Sequence, residues 1–198
     1  MEAKRYAVAV IVLAAALSCI VVLADETVYD LSCSYTSYSY DPTSGSPYFG
    51  GGGSGCVGGW SDNFVYVESD HPSDEGWEQW ETGSTTTYQN ATGYTWKGRI
   101  YFDADIDILR PSGTDAYVSA KTRLCYTGGS QDSGETQWRG NITISDGQQT
   151  ATQYGLTGMH TFSVVWFLKG FVKASSTQDA LADSWPSGVN DFWVIRIS

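Results

Sequence analysis

The sequence predicts an all-β protein, an antiparallel β-sandwich of the jelly-roll or Ig-like kind, preceded by an N-terminal apolar signal helix. Short segments rich in Tyr, Val, Ile and Thr recur about every 8–15 residues, which is typical of such sandwiches. Turns rich in Gly and Pro separate them. Helical periodicity is missing from these segments, which disfavours a parallel sheet built from strand–helix–strand units.

The N-terminus has the pattern of an export signal. Lys4 and Arg5 precede an uncharged run from Tyr6 to Ala24, and Asp25 follows directly. A short cationic segment, an apolar run and a small residue before the cut are typical of a signal peptide. An uncleaved anchor is the alternative, because roughly 17–25 apolar residues span a bilayer. We therefore predict a signal peptide (or anchor) over 1–24 and a secreted or cell-surface location.

The remaining residues, 25–198, predict a single β-sandwich domain of acidic character. They carry nine cations and 21 anions, a net charge of −12. A surface this acidic repels nucleic acid and anionic lipid. No nucleic-acid partner is expected, and membrane contact is expected only through residues 6–24 if the leader is kept.

The three cysteines of residues 25–198 and two glycosylation sequons agree with export. Cys33 and Cys56 are predicted to form a disulfide, which would stabilise the fold by about 3 kcal/mol in the chain-entropy model. Cys125 is then left over, as a buried thiol or an intermolecular link. Asn90 and Asn141 each begin an N-x-T triplet and are predicted glycosylation sites.

The first half of the domain predicts strands separated by two long loops. Residues 27–40 read as a strand, and a Gly-rich loop is predicted at 50–59, because a glycine tract pays the largest backbone entropy on ordering. A strand follows around residues 64–67. Residues 69–84 are polar and are predicted to form a loop.

The strongest strand signal lies in residues 98–109. Apolar and polar residues alternate strictly there and again in residues 116–124, so each segment has one buried and one solvated face. We predict that these two strands form a hairpin. The register that matches their faces places Asp103 opposite Lys121.

The second half predicts a hairpin, a buried strand, a short helix and a last strand. Asp146-Gly147 is a hairpin turn signal between two strands. Residues 159–169 are apolar on both faces, which predicts a central strand. Residues 177–184 have the pattern of one or two helical turns, and residues 191–197 read as a terminal strand.

No catalytic or cofactor motif is present in the sequence. Asp103, Asp105 and Asp107 are the candidate metal ligands, and Ca²⁺ is the ion they would suit. The calcium-loop pattern fails, because Ile108 and Thr114 stand where it needs Gly and Glu. The alternative is a solvated strand face balanced by neighbouring cations, so no cofactor is predicted.

Aromatic residues beside Ser and Gly form the candidate ligand-binding set. Rigid amphipathic rings among adaptable polar groups are typical of recognition surfaces, although edge-strand packing explains them equally. The candidates lie in predicted loops at 35–60 and 75–81, and they are Tyr38, Tyr40, Trp60, Trp77 and Trp80.

Three functions are consistent with these features. The first is a non-enzymatic, adhesin-like domain that binds a glycan or a surface protein. The second is a structural subunit of a surface layer or filament, in which residues 191–197 complete a neighbour's sheet. The third is a glycoside-active enzyme using Glu78 or Glu81. The oligomeric state is left open.

Overall fold

The computed structural model describes residues 24–49, 52–57, 60–69 and 74–198, with the backbone alone at 34–35, 52–57, 60–64 and 185–190. Within these ranges the regular structure is β-strand, without helices. Consequently no helix that could cross a bilayer is found in the described part of the chain. The predicted signal segment spans 1–24, and residues 1–23 of it lie outside the described ranges.

Half of the described strands form one antiparallel sheet, here called sheet 1. They are β1 (Glu26–Leu31), β3 (Tyr48–Phe49), β4 (Gly52–Val57), β5 (Trp60–Ser69), β8 (Thr95–Leu109), β12 (Ile142–Gln153) and β14 (Ala180–Ile197). The order is β12, β8, β14, β5 and β3. In addition, β1 pairs with β14 and β4 pairs with β5.

The other described strands form sheet 2, which is also antiparallel. They are β2 (Cys33–Ser44), β6 (Glu75–Ser84), β7 (Thr87–Asn90), β9 (Asp115–Tyr126), β10 (Gly129–Asp132), β11 (Thr136–Trp138) and β13 (Met159–Lys173). The order is β10, β9, β13, β6 and β2, with β11 beside β9 and β7 beside β13.

The apolar faces of the two sheets meet in one core. Trp96 of sheet 1 stacks on Phe162 of sheet 2, with ring centroids 4.2 Å apart, and both side chains are fully buried. Phe102 and Trp166 make a second ring contact across the core at 5.3 Å. Such aromatic pairs add about 0.5–1.5 kcal/mol each beyond their buried area. The predicted all-β antiparallel sandwich is therefore confirmed.

The predicted hairpin between β8 and β9 is wrong. The two strands lie in different sheets, β8 between β12 and β14, and β9 beside β13. Asp103 is therefore not opposite Lys121: it pairs with Gly188, and Lys121 pairs with Phe167. The alternation correctly identified both buried faces. Two consecutive strands can bury these faces equally well when they form a hairpin and when they lie in opposite sheets.

The long strands β13 and β14 are central, one in each sheet. In β13 both faces are largely buried, with Trp166 at 0% and Phe167 at 7% exposure, which confirms the central strand predicted there. β14 lies between β8 and the pair β5 and β1. Residues 191–197 are thus already paired on both sides, and the prediction that they complete a neighbour's sheet is wrong.

Three local predictions also need correction. The Gly-rich segment 50–59, expected to be a loop, contains β4, which pairs with β5. Residues 177–184 do not form helical turns, because β14 begins at Ala180. Asp146-Gly147 does not form a hairpin turn but a β-bulge within β12, where Asp146 has a φ of 54°.

Candidate functional site

The outer face of sheet 2 displays three parallel rows of side chains across β9, β13 and β6. The even-numbered residues of these strands point into the core, so the odd-numbered ones point outward. The strand register aligns them into an aromatic row, a polar row and a mixed row. These rows are Tyr117, Phe171 and Trp77; Ser119, Lys169 and Gln79; and Lys121, Phe167 and Glu81.

The aromatic row offers ring faces beside the polar row. Tyr117 stacks on Phe171 with centroids 4.9 Å apart and planes at 20°. Burial, followed by the nearby Glu135 carboxylate, raises the pKa of the Tyr117 hydroxyl, so this phenol stays protonated. The Lys169 ammonium lies 4.9 Å from the centre of the Trp77 ring. This row is therefore an ordered aromatic surface with a cation held at one end.

A cavity of about 140 Å³ opens over the polar row. It has an apolar wall from the Phe167 ring and polar groups on its other sides. Its lining residues are Gln79, Ser119, Ala120, Lys121, Glu135, Phe167 and Lys169. A concave site with apolar surface and a few convergent polar groups is the usual form of a ligand site. We call this cavity and the aromatic row beside it the outer-face site.

Two cations at one end of the outer-face site are fixed by Asp132. Its carboxylate accepts hydrogen bonds from Lys121 at 3.1 Å and from Arg123 at 2.5 and 3.0 Å. The hydrogen bond from Arg123 is the main cause that lowers the pKa of Asp132 to about 2. Both cations also lie within 5 Å of the Phe167 ring centre. The charges at this end are therefore already paired within the protein.

The aromatic residues of the candidate ligand-binding set are divided between two surfaces. Residues 75–81 are not a loop but part of β6, in the middle of sheet 2. Trp77 points outward, whereas Trp80 points inward and is 8% exposed. Alternation along a strand separates side chains three positions apart onto opposite faces. These two tryptophans therefore do not share one surface.

Tyr38, Tyr40 and Trp80 come together at the edge of the sandwich. Tyr38 lies 5.6 Å from Trp80 and 6.0 Å from Tyr40, and Tyr40 lies 5.1 Å from Phe49, measured between ring centroids. Tyr40 is 59% exposed and Tyr38 is 37% exposed. Residues 35–44 belong to β2 rather than to a loop. This edge cluster is a partly exposed aromatic ridge.

Glu78 is a fully buried carboxylate beneath the edge cluster. Its Oε2 accepts a hydrogen bond from the Tyr66 amide at 2.7 Å, and its Oε1 has no partner among the described residues at hydrogen-bonding geometry. Burial raises its pKa to about 7, against the lowering effects of Tyr66 and of the Tyr38 hydroxyl. Glu81 lies on the opposite face of β6. The two glutamates therefore cannot act together on one glycosidic bond, and a glycoside-active enzyme that uses Glu78 or Glu81 alone stays a prediction.

The cysteine and tryptophan predictions fall partly outside the described side chains. Cys33 is disulfide-bonded, and Cys125 is a half-buried free thiol whose pKa burial raises. The side chains of Cys56 and Trp60 are not described. The pairing of Cys33 with Cys56 therefore stays a prediction.

Both sequon asparagines are exposed and have local structural roles. The Asn90 side chain accepts a hydrogen bond from the Thr92 amide at 3.1 Å, within its own triplet. The Asn141 side chain accepts one from the Ile108 amide at 2.9 Å, at the end of the β8–β12 pairing. Glycosylation of either residue stays a prediction.

The three aspartates proposed for calcium lie on the outer face of sheet 1. Within the described residues no group of three or more His, Cys, Asp or Glu side chains is arranged to hold a metal ion. Asp103 accepts a hydrogen bond from the Asp146 amide at 2.8 Å. Asp107 is paired with Asp183 across the strands. Burial, with a contribution from Asp107, raises the pKa of Asp183 to about 6.

Most residues of the outer-face site were not identified from the sequence. Trp77 was the one candidate among them. Gln79, Ser119 and Glu135 lie in unremarkable polar stretches. A signal was present in β13, where Phe167, Lys169 and Phe171 alternate on the second face of an otherwise buried strand. Large side chains of mixed character on the outer face of a central strand could have marked the site.

No protein-family model and no curated protein sequence matches the chain. Among solved structures, one that concerns the promiscuous specificity of carbohydrate-binding modules from the β-sandwich superfamily is similar at 12% sequence identity and a TM-score of 0.24. The match covers 86% of this chain and 58% of the other, so the chain spans less than two thirds of that structure. At these values the likeness carries no argument about function. The fold assignment rests on the strand pairing described above.

Proposed function

We propose that this protein is a secreted or cell-surface domain that binds a glycan without catalysis. The outer-face site would contact the glycan. The observation that carries the proposal is the cavity of about 140 Å³ over the polar row, with the Phe167 ring on one side and the aromatic row on the other. It combines apolar surface with convergent hydrogen-bonding groups on a rigid sheet.

A sugar ring has the complementary chemistry. Its C–H face is apolar and packs on aromatic rings, while its rim of hydroxyls needs donors and acceptors. Trp77 and Phe171 supply ring surface, and Gln79 supplies both a donor and an acceptor. The rows are two residues apart along each strand, roughly 6.6–6.8 Å. That spacing allows one ring to contact the aromatic row while its hydroxyls reach the polar row.

Binding without catalysis is favoured by the states of Asp132, at one end of the outer-face site, and of Glu78. Glycoside hydrolysis needs one carboxylic acid that donates a proton and a second carboxylate at a fixed distance. Asp132 is held ionised by Arg123, which lowers its pKa to about 2, so it has no proton to donate near neutral pH. Glu78 lies on the core side of β6, away from the outer-face site.

A glycan array tests the proposal. The full chain, expressed with its leader in an export-competent host and purified, is expected to retain a subset of glycans. Trp77→Ala should weaken binding by about tenfold or more, since aromatic contacts dominate such sites. Trp193→Ala is the matched control, because Trp193 lies on the outer face of sheet 1, beside Tyr101. Wild-type protein that binds no glycan, or equal loss in both variants, would contradict the proposal.

We also propose that the protein acts outside the cytoplasm. The support is the cationic start, the uncharged run from Tyr6 to Ala24 and the acidic residues that follow. Mass spectrometry of the protein recovered from the host's exterior is expected to show Asp25 as the first residue. Recovery with Met1 still attached to a membrane fraction would favour the anchor instead.

A further inference from the structure

We infer that the outer-face site selects acidic glycans, with Lys169 binding a carboxylate or sulfate group of the ligand. This inference rests on the proposed function, since it names the class of glycan that the same site takes. It is carried by the contrast between Lys169 and the other cations on this face.

The other cations on the outer face of sheet 2 have carboxylate partners. Lys121 and Arg123 share Asp132. Lys173 lies 2.8 Å from Glu75, which raises the lysine's pKa. These charges are balanced internally and offer little net attraction to a ligand.

Arg139 is likewise engaged. It pairs with Asp115 and lies over the Tyr117 ring, with its guanidinium carbon 4.9 Å from the ring centre. This guanidinium is therefore oriented by the protein itself at the outer end of the aromatic row. It does not face the cavity with an unbalanced charge.

Lys169 is different because its described contact is with a ring and not with an anion. Its Nζ lies over Trp77, and no carboxylate partner is found for it among the described residues. A cation–π contact orients an ammonium but leaves its positive charge uncompensated. Lys169 also lines the cavity and stands at the centre of the polar row, between Ser119 and Gln79.

The overall charge of the protein makes this placement significant. The chain has a formal net charge of −11, yet five of its nine cations outside the leader lie on or over this one face. Four of these five cations are paired with carboxylates, so the Lys169 ammonium is the positive charge that this face offers to an anionic ligand. A carboxylate or sulfate placed in the cavity would give Lys169 the charge-assisted hydrogen bonds that the protein does not supply.

The experiment uses an array of matched glycan pairs that differ only in an acidic group. One arm carries uronates and their methyl esters, a second sialylated glycans and their desialylated forms, and a third sulfated and unsulfated glycans. The acidic member of at least one pair is expected to bind about tenfold tighter than its neutral partner at low salt, with a preference that weakens as salt rises. The arm that binds identifies whether a carboxylate or a sulfate is recognised.

Substitution of the lysine provides the second readout. Lys169→Met should weaken binding of the acidic member by a larger factor than binding of the neutral member, so that the preference is lost, whereas Lys169→Arg should keep the preference. Lys97→Met is the matched control, because Lys97 is an outward lysine of β8 on the other sheet.

Two outcomes separate this inference from the proposed function. Equal binding of acidic and neutral members, or a Lys169→Met variant that keeps the preference, would overturn the inference and leave glycan binding standing. Wild-type protein that binds no member of any pair would overturn both.

Discussion

The Glu78 carboxylate of sheet 2 accepts a hydrogen bond from the Tyr66 amide of sheet 1, at 2.7 Å. In β5, Val67 pairs with β3 and Phe64 pairs with β4. Tyr66 lies between these two positions, and its amide donates to the Glu78 side chain. A buried ionisable group therefore links the two sheets at one edge of the sandwich. A buried carboxylate is costly when it is charged and only partly hydrogen-bonded.

The first prediction is a stability that falls with rising pH. Burial raises the pKa of Glu78 to about 7, whereas an unfolded glutamate titrates near about 4.3. The folded state therefore holds a proton that the unfolded state has lost. The stabilising contribution is complete below about pH 4 and is lost as pH rises through 7, by roughly 4 kcal/mol at most.

Glu78→Gln tests this directly, because it removes the charge and keeps an oxygen for the Tyr66 amide. Urea unfolding between pH 5 and pH 8 should show a higher free energy of unfolding than wild type at pH 8, and a flatter pH dependence. A residual slope is expected from Asp183, whose raised pKa of about 6 acts in the same direction. Glu26→Gln, at an exposed position of β1, is the control. An unchanged slope in Glu78→Gln would refute the prediction.

The second prediction concerns a different link between the sheets, made by Gln149 of β12. Its Oε1 accepts hydrogen bonds from Trp166 Nε1 at 3.3 Å and from Thr122 Oγ1 at 3.4 Å, and its Nε2 donates to the Ala120 carbonyl at 2.9 Å. Gln149→Leu leaves these buried groups without partners, which should cost about 2–3 kcal/mol. Gln148→Leu, at the exposed neighbouring position, should change the free energy of unfolding by less than about 0.5 kcal/mol. Equal effects in the two variants would show that the buried network contributes nothing.

The third prediction concerns the bulge in β12. A Cβ atom added at Gly147 would lie 2.7 Å from Ile144 Cγ2 and 2.9 Å from Phe102 Cζ, so Gly147→Ala should destabilise the fold by about 1–3 kcal/mol. Gly140→Ala meets no atom within 4 Å and serves as the control. Thermal unfolding measured by circular dichroism compares them. A Gly147→Ala variant as stable as the control would mean that the bulge rearranges freely.

The fourth prediction concerns the thiols. Peptide mapping without reduction should recover Cys33 linked to Cys56, and Cys125 as a free thiol. Because burial raises the pKa of Cys125, alkylation at pH 7 should be slow in the folded protein and fast in urea. Recovery of Cys33 linked to Cys125 would contradict the assignment.

The sequence was a better guide to which strand residues are buried than to which strands pair with each other. The alternation of β8 and β9 correctly assigned Ile106 and Val118 to the core. It could not tell a hairpin from a crossing between sheets, because both bury the same residues. Partner choice depends on long-range packing, such as the contact between Trp96 and Phe162, which periodicity does not encode.

The candidate site was predicted only in part, for a related reason. Aromatic residues near Gly and Ser were taken as loop residues, yet Trp77 and Trp80 are strand residues on opposite faces. The outer-face site is assembled from three strands that are distant in the chain. Cross-strand register brings Lys169 beside Gln79 and Ser119, and no local pattern specifies that register.

The bulge in β12 also affects self-association. This strand is the last in the order of sheet 1, and such an edge can act as a template for another chain. The left-handed Asp146, held by Asp103, interrupts the regular ladder between Ile144 and Gly147. A second molecule that paired along the whole of this edge would meet the interruption between Ile144 and Gly147. The same aspartate that resembled a metal ligand in the sequence thus helps to break the regular edge of sheet 1.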